Sequence, residues 1–191
     1  MDMIDTVFDI RAGFLPAAHA ALLWREVVRV LPWIGQENSA GILPLRGGQF
    51  LPRRAKLTLR IPDHRAEDAL HLAGSLLDVG GNPFQLGEGR IREIAAYPTL
   101  HAHFVASEID EISFLAESMQ EISSLGIQCR LICGMRQEVD TGEGTLSGYS
   151  LVTHDLKPGH SIRLQHAGLG KMRRFGCGIF VPHKTIAGLE D

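Results

Sequence analysis

Cysteine is scarce in this chain: Cys129, Cys133 and Cys177 are the three among 191 residues. A small, odd number excludes a disulfide frame and fits reduced thiols in a cytoplasm. Long apolar runs are missing, as is the charged-then-apolar start of a secretory leader, so neither a membrane span nor secretion is expected. A surplus of positive charge is missing too. The net charge of −3 argues against indiscriminate coating of nucleic acid. A local basic site stays open, because fields are screened over roughly 10 Å. Acyl-transfer chemistry lacks its signatures, since there is no GxSxG elbow and no Cys/His arrangement. Carboxylate pairs are absent as well; Asp63/Glu67/Asp68 and Asp110/Glu111 read as helix N-terminal charges. His101-x-His103 puts two imidazoles on one strand face, but a metal needs further ligands, and Cys129-x₃-Cys133 has the wrong spacing for a zinc knuckle. No metal and no cofactor is expected. Of two tryptophans and two tyrosines, Trp24 and Trp33 read as core or interface aromatics. Either Tyr97 or Tyr149 could position a phosphate.

What is present concentrates between Gly168 and His183, GLGKMRRFGCGIFVPH. Two Gly-x-Gly pairs, Gly168/Gly170 and Gly176/Gly178, bracket Lys171, Met172, Arg173, Arg174 and Phe175. Glycines allow positive φ and a close backbone approach to a phosphate. An ordinary glycine-rich connection with solvated cations would have the same composition. The apolar run Ile179–Val181 follows as a strand and Pro182 ends it. A P-loop requires GKS or GKT, and Met172 follows Lys171. A dinucleotide fingerprint opens a helix after an early strand, whereas these glycines precede a strand near the end of the sequence. Both nucleotide folds are therefore excluded.

Taken in order, residues 4–10 alternate as a strand. Gly13–Pro16 reads as a turn, and Pro16 as the first residue of a helix running to Leu31. His19 falls in its first turn, where the helix dipole favours a neutral imidazole, the form a general base needs. Residues 42–45 and 57–61 read as strands around the Gly47-Gly48 loop, with Arg46, Arg53, Arg54 and Lys56 beside it. Residues 65–77 read as a helix burying Leu70, Ala73, Leu76 and Leu77. Residues 83–94 read as a strand bent at Gly87 or Gly89. The second half repeats the order: strand 99–107; helix 110–124 with Ile112, Leu115, Ala116, Met119 and Ile122 inward; hairpin 128–139/145–152; helix 158–166; glycine loop; strand 175–181. The expected fold is α+β, two tandem ferredoxin-like (RRM/RAMP-like) β-α-β-β-α-β domains over 1–96 and 97–191.

The motif GxGxxxxxGxG near the C-terminus, with cations inside and a strand after, resembles the glycine-rich loop of the CRISPR-associated repeat-RNA endoribonucleases. These form the sixth Cas protein family of the RAMP superfamily. The early LPxxHxxxL helix ending in LPW, the stretch ending in GYSL and the terminal GCGIFVPHK are similar to a short, myxobacterial-type subfamily. The resemblance implies the tandem ferredoxin-like architecture and metal-independent cleavage of CRISPR repeat RNA in the precursor transcript. The ribose 2′-hydroxyl attacks, leaving 2′,3′-cyclic phosphate and 5′-hydroxyl ends. It implies His19 as base and Lys171, Arg173 or Arg174 as stabiliser. Expected RNA contacts are Gly168, Gly170, Lys171, Arg173, Arg174, Gly176, Gly178, Arg53, Arg54, His183 and Lys184. The expected partners are the repeat RNA and other CRISPR effector subunits. A non-catalytic RNA-holding RAMP subunit is the alternative with the same fold.

Overall fold

The computed structural model describes residues 1–183. Backbone contacts divide it into two compact units. The first is Met1–Ile94 with Glu138–Leu146 and Met172–Gly176; the second is Ala95–Gln137, Ser147–Lys171 and the segment from Cys177 onward.

The first unit begins with β1 (Met3–Leu15), followed by α1 (Ala20–Val30), the short strands β2 (Gly41–Ile42) and β3 (Gln49–Phe50), and β4 (Lys56–Pro62). A broken helical segment contains α2 (Ala66–Ala69), and β5 (Leu76–Val79) and β6 (Asn82–Arg92) close the unit. The sheet order is β2-β4-β1-β6-β5, with β3 pairing β1 off this path. One face carries Phe8, Ile10, Leu57, Leu59, Ile61 and Leu86, packed with Leu23 and Val27 of α1 and with Leu31, its C-cap. The helix sits there because its leucines and valines recur at helical spacing and need an apolar partner.

The opposite face is ionic. Register sets Asp5 opposite both Arg60 and Arg92. Arg60 Nε and Nη2 donate to the two Asp5 oxygens at 2.8 and 3.1 Å, and Arg92 Nη2 donates at 3.1 Å. Further along β1, Lys56 Nζ and Arg90 Nη1 lie 2.8 and 3.3 Å from Asp9 Oδ1. β6 bulges where expected. Phe8 pairs Gly89 and Ile10 pairs Leu86, so β6 carries one extra residue at Gly87-Glu88.

Three expectations for this unit are corrected. Gly13 is not a turn: β1 continues to Leu15 because Phe14 and Leu15 pair with Phe50 and Gln49, and the Phe84 ring lies against Gly13 where a Cβ would stand. Pro16 does not start the helix; α1 begins at Ala20, with His19 as N-cap. The helix expected over 65–77 is one α-turn between 3₁₀ turns. Gly74, at φ 74°, ends it. Leu77 and Val79 are then buried while Leu76 and Asp78 are exposed, the period-two pattern of a strand. Two adjacent leucines satisfy either period, which is why this stretch misleads.

The second unit contains β7 (Leu100–Ala106), α3 (Glu111–Ser124), most of β8 (Arg130–Asp140) and of β9 (Thr145–His154), α4 (Pro158–Ala167) and β10 (Phe180–Pro182). The end of the β8–β9 hairpin belongs to the first unit. Its sheet order is β10-β7-β9-β8. That order, with helices after the first and third strands, is the ferredoxin-like arrangement, which the first unit also follows with two added strands, β3 and β5. Asp110 caps α3, accepting from Ser113 N at 3.0 Å. The inward stripe of α3 is Phe114, Ser118 and Ile122. Ile112 and Met119, expected inside, are 82% and 38% exposed, because Phe114 stacks on Tyr149 with centroids 4.5 Å apart and fixes the helix's rotation. The last strand is shorter than expected; residues 173–175 are a 3₁₀ turn.

Candidate active site

His19 sits where β1 ends and α1 begins. Its Nδ1 lies 2.8 Å from the Pro16 carbonyl oxygen. A carbonyl can only accept, so Nδ1 carries the proton and Nε2 keeps its lone pair. Burial pushes the imidazole below its ordinary pKa, the carbonyls of Pro16 and Ala17 pulling the other way. The ring is thus a neutral base with one free nitrogen.

Three segments meet around the start of α1, and the first lies against the imidazole. Gly47 is the first: a Cβ there would strike the Pro16 carbonyl and stand 2.7 Å from His19 Nδ1. Gly48 N donates to Leu15 O at 2.6 Å and Leu51 N to Gly13 O at 3.0 Å, strapping the loop to β1. The β8–β9 hairpin tip is the second. Thr141 O accepts from Ala21 N at 2.8 Å, satisfying one of the orphan amides at the helix start. The third is the middle of the glycine loop. Gly176, at φ 85°, packs on Ile42 O and Pro44, where a Cβ would come within 3.0 Å. His19, Ala20, Leu23, residues 42–45, Arg174 and Phe175 line one crevice. Its free volume of about 20 Å³ admits about one water, so it is the floor of a surface site.

Arg174 is exposed at that crevice, with its guanidinium 4.7 Å above the Phe175 ring. Glu143, at the hairpin tip, lies 4.0 Å from both Arg174 and Arg25. Met172 adopts φ 66° without being glycine, a strained conformation that recurs in functional loops. Arg173 is half-buried, and Arg53, Arg54 and Arg46 are exposed around β3. The first unit therefore gathers His19 and Arg174 in one crevice, with the arginines of the 46–54 loop on the same strap that touches His19.

Most of the remaining expected set belongs to the second unit. Gly168, at φ 63°, ends α4 and donates its N–H to Leu164 O. Gly178 N donates to Phe104 O, and a Cβ on Gly178 would strike the Leu169 carbonyl. In the first unit, Gly176 N donates to Arg173 O. The N–H groups of these three glycines are engaged within the chain, which corrects the expectation that they offer amides to a phosphate. They shape the loop. Gly170 N, 3.5 Å from Glu121 Oε1, is on the surface, and Lys171 is exposed.

His183 belongs to a cluster: the His101 ring lies 4.5 Å from His103 and 5.4 Å from His183. Burial and these neighbours lower His101 to about 4, so its ring is neutral at pH 7. Among the described residues no three His, Cys, Asp or Glu side chains are arranged to hold a metal ion. Lys184 lies outside the described residues. Tyr149 is buried and donates to Ile109 O at 2.6 Å, so it is not available to a phosphate; Tyr97 is exposed. Among the described residues no helix is long and apolar enough to cross a membrane. The sequence marks Gly47 and Gly142-Glu143-Gly144 only as turns; it holds no sign that both meet the start of α1.

A family model described as Cas6 CRISPR matches residues 4–185. The chain is 30% identical to the CRISPR-associated endonuclease Cas6 of Myxococcus xanthus, covering all of this chain and 86% of that protein. A Cas6-related protein of Pyrococcus furiosus matches with TM-score 0.67 at 10% identity, covering 95% and 99% of the two chains. Thermus thermophilus Cse3, solved with an RNA representing a pre-cleavage complex, matches with TM-score 0.54 at 11% identity over 95% and 98%. At such identity the structures establish the shared fold.

Proposed function

The chain belongs to the Cas6 CRISPR family, and on that premise we propose that it is a metal-independent endoribonuclease cutting the repeat RNA of a CRISPR precursor transcript. The observation that carries this reading is the His19 crevice: a neutral imidazole with a free Nε2, shared with the Arg174 guanidinium. The ribose 2′-oxygen next to the scissile phosphate is the nucleophile. His19 Nε2 takes its proton as the 2′-O–P bond forms. Arg174, Arg173 and Lys171 hold the negative charge that builds on the phosphorane. The P–O5′ bond then breaks and the leaving oxygen takes up a proton. The products are a 2′,3′-cyclic phosphate and a 5′-hydroxyl.

In this reading the first unit supplies the base and, through Met172–Gly176, the middle of the glycine loop. Gly168, Gly170, Gly176 and Gly178 shape that loop, while Arg53, Arg54, His183 and Lys184 extend the RNA contact. Incubation of the purified protein with labelled repeat RNA in EDTA tests the proposal. Site-specific cutting supports it; binding without cutting would make the protein a holding subunit.

Two further outcomes follow from the geometry. Arg173→Ala with Arg174→Ala should weaken binding and flatten the dependence of log affinity on log salt by about 0.7 for each phosphate no longer neutralised. Filter binding across a salt series measures this, and an unchanged slope removes the loop from the RNA site. Gly47→Ala should displace the imidazole without touching RNA. A displacement near 1 Å costs about 10²-fold in rate, so single-turnover cleavage should fall more than affinity does, and the melting temperature should drop too, because the Cβ meets the Pro16 backbone as well as the ring.

A further inference from the structure

Phe50 takes no part in the chemistry above, yet it is 78% exposed. We propose that Phe50 is a stacking platform for an unpaired nucleobase of the RNA, set beside the His19 crevice. The proposal rests on the RNA-processing reading above and names a recognition element within it.

Three observations carry it. The ring is held in place. Phe50 pairs with Phe14 across β1 and β3, their centroids 5.1 Å apart at 68°, an edge-to-face contact that fixes its plane. The flanking residues Gly48 and Leu51 are bonded to Leu15 and Gly13, so the strap on which it sits is anchored on both sides. The strap also ends at the chemistry, since Gly47 packs on the Pro16 carbonyl and His19 Nδ1. Finally, the surroundings suit a polyanion. Arg46, Arg53 and Arg54, each within four residues of Phe50 along the chain, are exposed, and none pairs with a carboxylate among the described residues. An exposed aromatic among guanidiniums is how single strands are held: cations track the backbone, and the ring takes a base, since every base has a π-face. A protein partner would have to neutralise three guanidiniums at this one place.

The test uses the full chain and repeat RNA carrying 2-aminopurine at successive unpaired positions. One position should show fluorescence quenching with the wild type and lose it with Phe50→Ala. Repeat-RNA affinity should fall about 5- to 150-fold with Phe50→Ala. Phe50→Trp should restore it, and Phe50→Leu, apolar without a π-face, should not. Because the side chain is exposed, thermal unfolding of each variant should match wild type. If the wild type cuts repeat RNA but Phe50→Ala binds and cuts equally well, the platform is wrong and the nuclease reading stands. The same holds if Phe50→Leu restores binding, or if Phe50→Ala instead changes the oligomeric state without RNA. If the wild type neither binds nor cuts, the nuclease reading itself fails.

Discussion

Replacing His19 with alanine is expected to slow single-turnover cleavage by about 10²- to 10⁴-fold, the contribution of a positioned general base, while repeat-RNA binding persists. The expectation follows from the ring's setting. Its Nδ1–H is committed to Pro16 O at 2.8 Å, so only Nε2 can accept the 2′-hydroxyl proton. The same setting fixes the pH dependence. Burial lowers the imidazole's pKa below its ordinary value of 6.5. A base works unprotonated, so cleavage should be level through neutral pH and fall only on the acid side, below 6.5. A quenched-flow pH series checks both. A rate that kept climbing tenfold per pH unit through neutrality would mean that this imidazole is not the base.

Asp5→Ala is expected to be the most destabilising single substitution considered. Asp5 and Arg60 are 3% and 5% exposed, and the carboxylate takes two bonds from Arg60 and one from Arg92. Removing it takes away the counter-charge of a buried guanidinium, a loss of about 3–5 kcal/mol. For a chain of this size the melting temperature should drop by about 6–20 °C. Changing Asp5 to leucine together with Arg60 to methionine should recover most of the loss, since buried pairs are replaceable by apolar residues of similar volume. Calorimetry of the two variants separates these outcomes. A drop under about 2 °C for Asp5→Ala, less than about 1 kcal/mol, would show that the ionic face is dispensable.

Sequence patterns disclose much of this architecture. Alternation marks β1, β4 and β7; the α1 stripe marks its buried side; the glycine spacing places the loop between the last helix and last strand. What stays hidden depends on neighbours distant in sequence. Gly13 reads as a turn because nothing local shows Phe84 filling its Cβ position. Leu76-Leu77 fits a helix until pairing with β6 chooses the strand. The glycines of the loop suggest amides for a phosphate, yet three of those amides bond to Leu164, Arg173 and Phe104. His19 is visible as a helix-start histidine. Gly47, which packs on its ring, and Thr141, which bonds the helix start at Ala21, are not, since one lies in a loop and the other on a hairpin tip more than a hundred residues away.

The most direct test of the central claim replaces the ribose before the scissile phosphate with its 2′-deoxy form and assays cleavage in EDTA. Native repeat RNA should be cut to a 2′,3′-cyclic phosphate, while the deoxy RNA should bind and stay whole. Cutting of the deoxy RNA at the native rate, or native ends bearing a 5′-phosphate, would contradict attack by the 2′-oxygen.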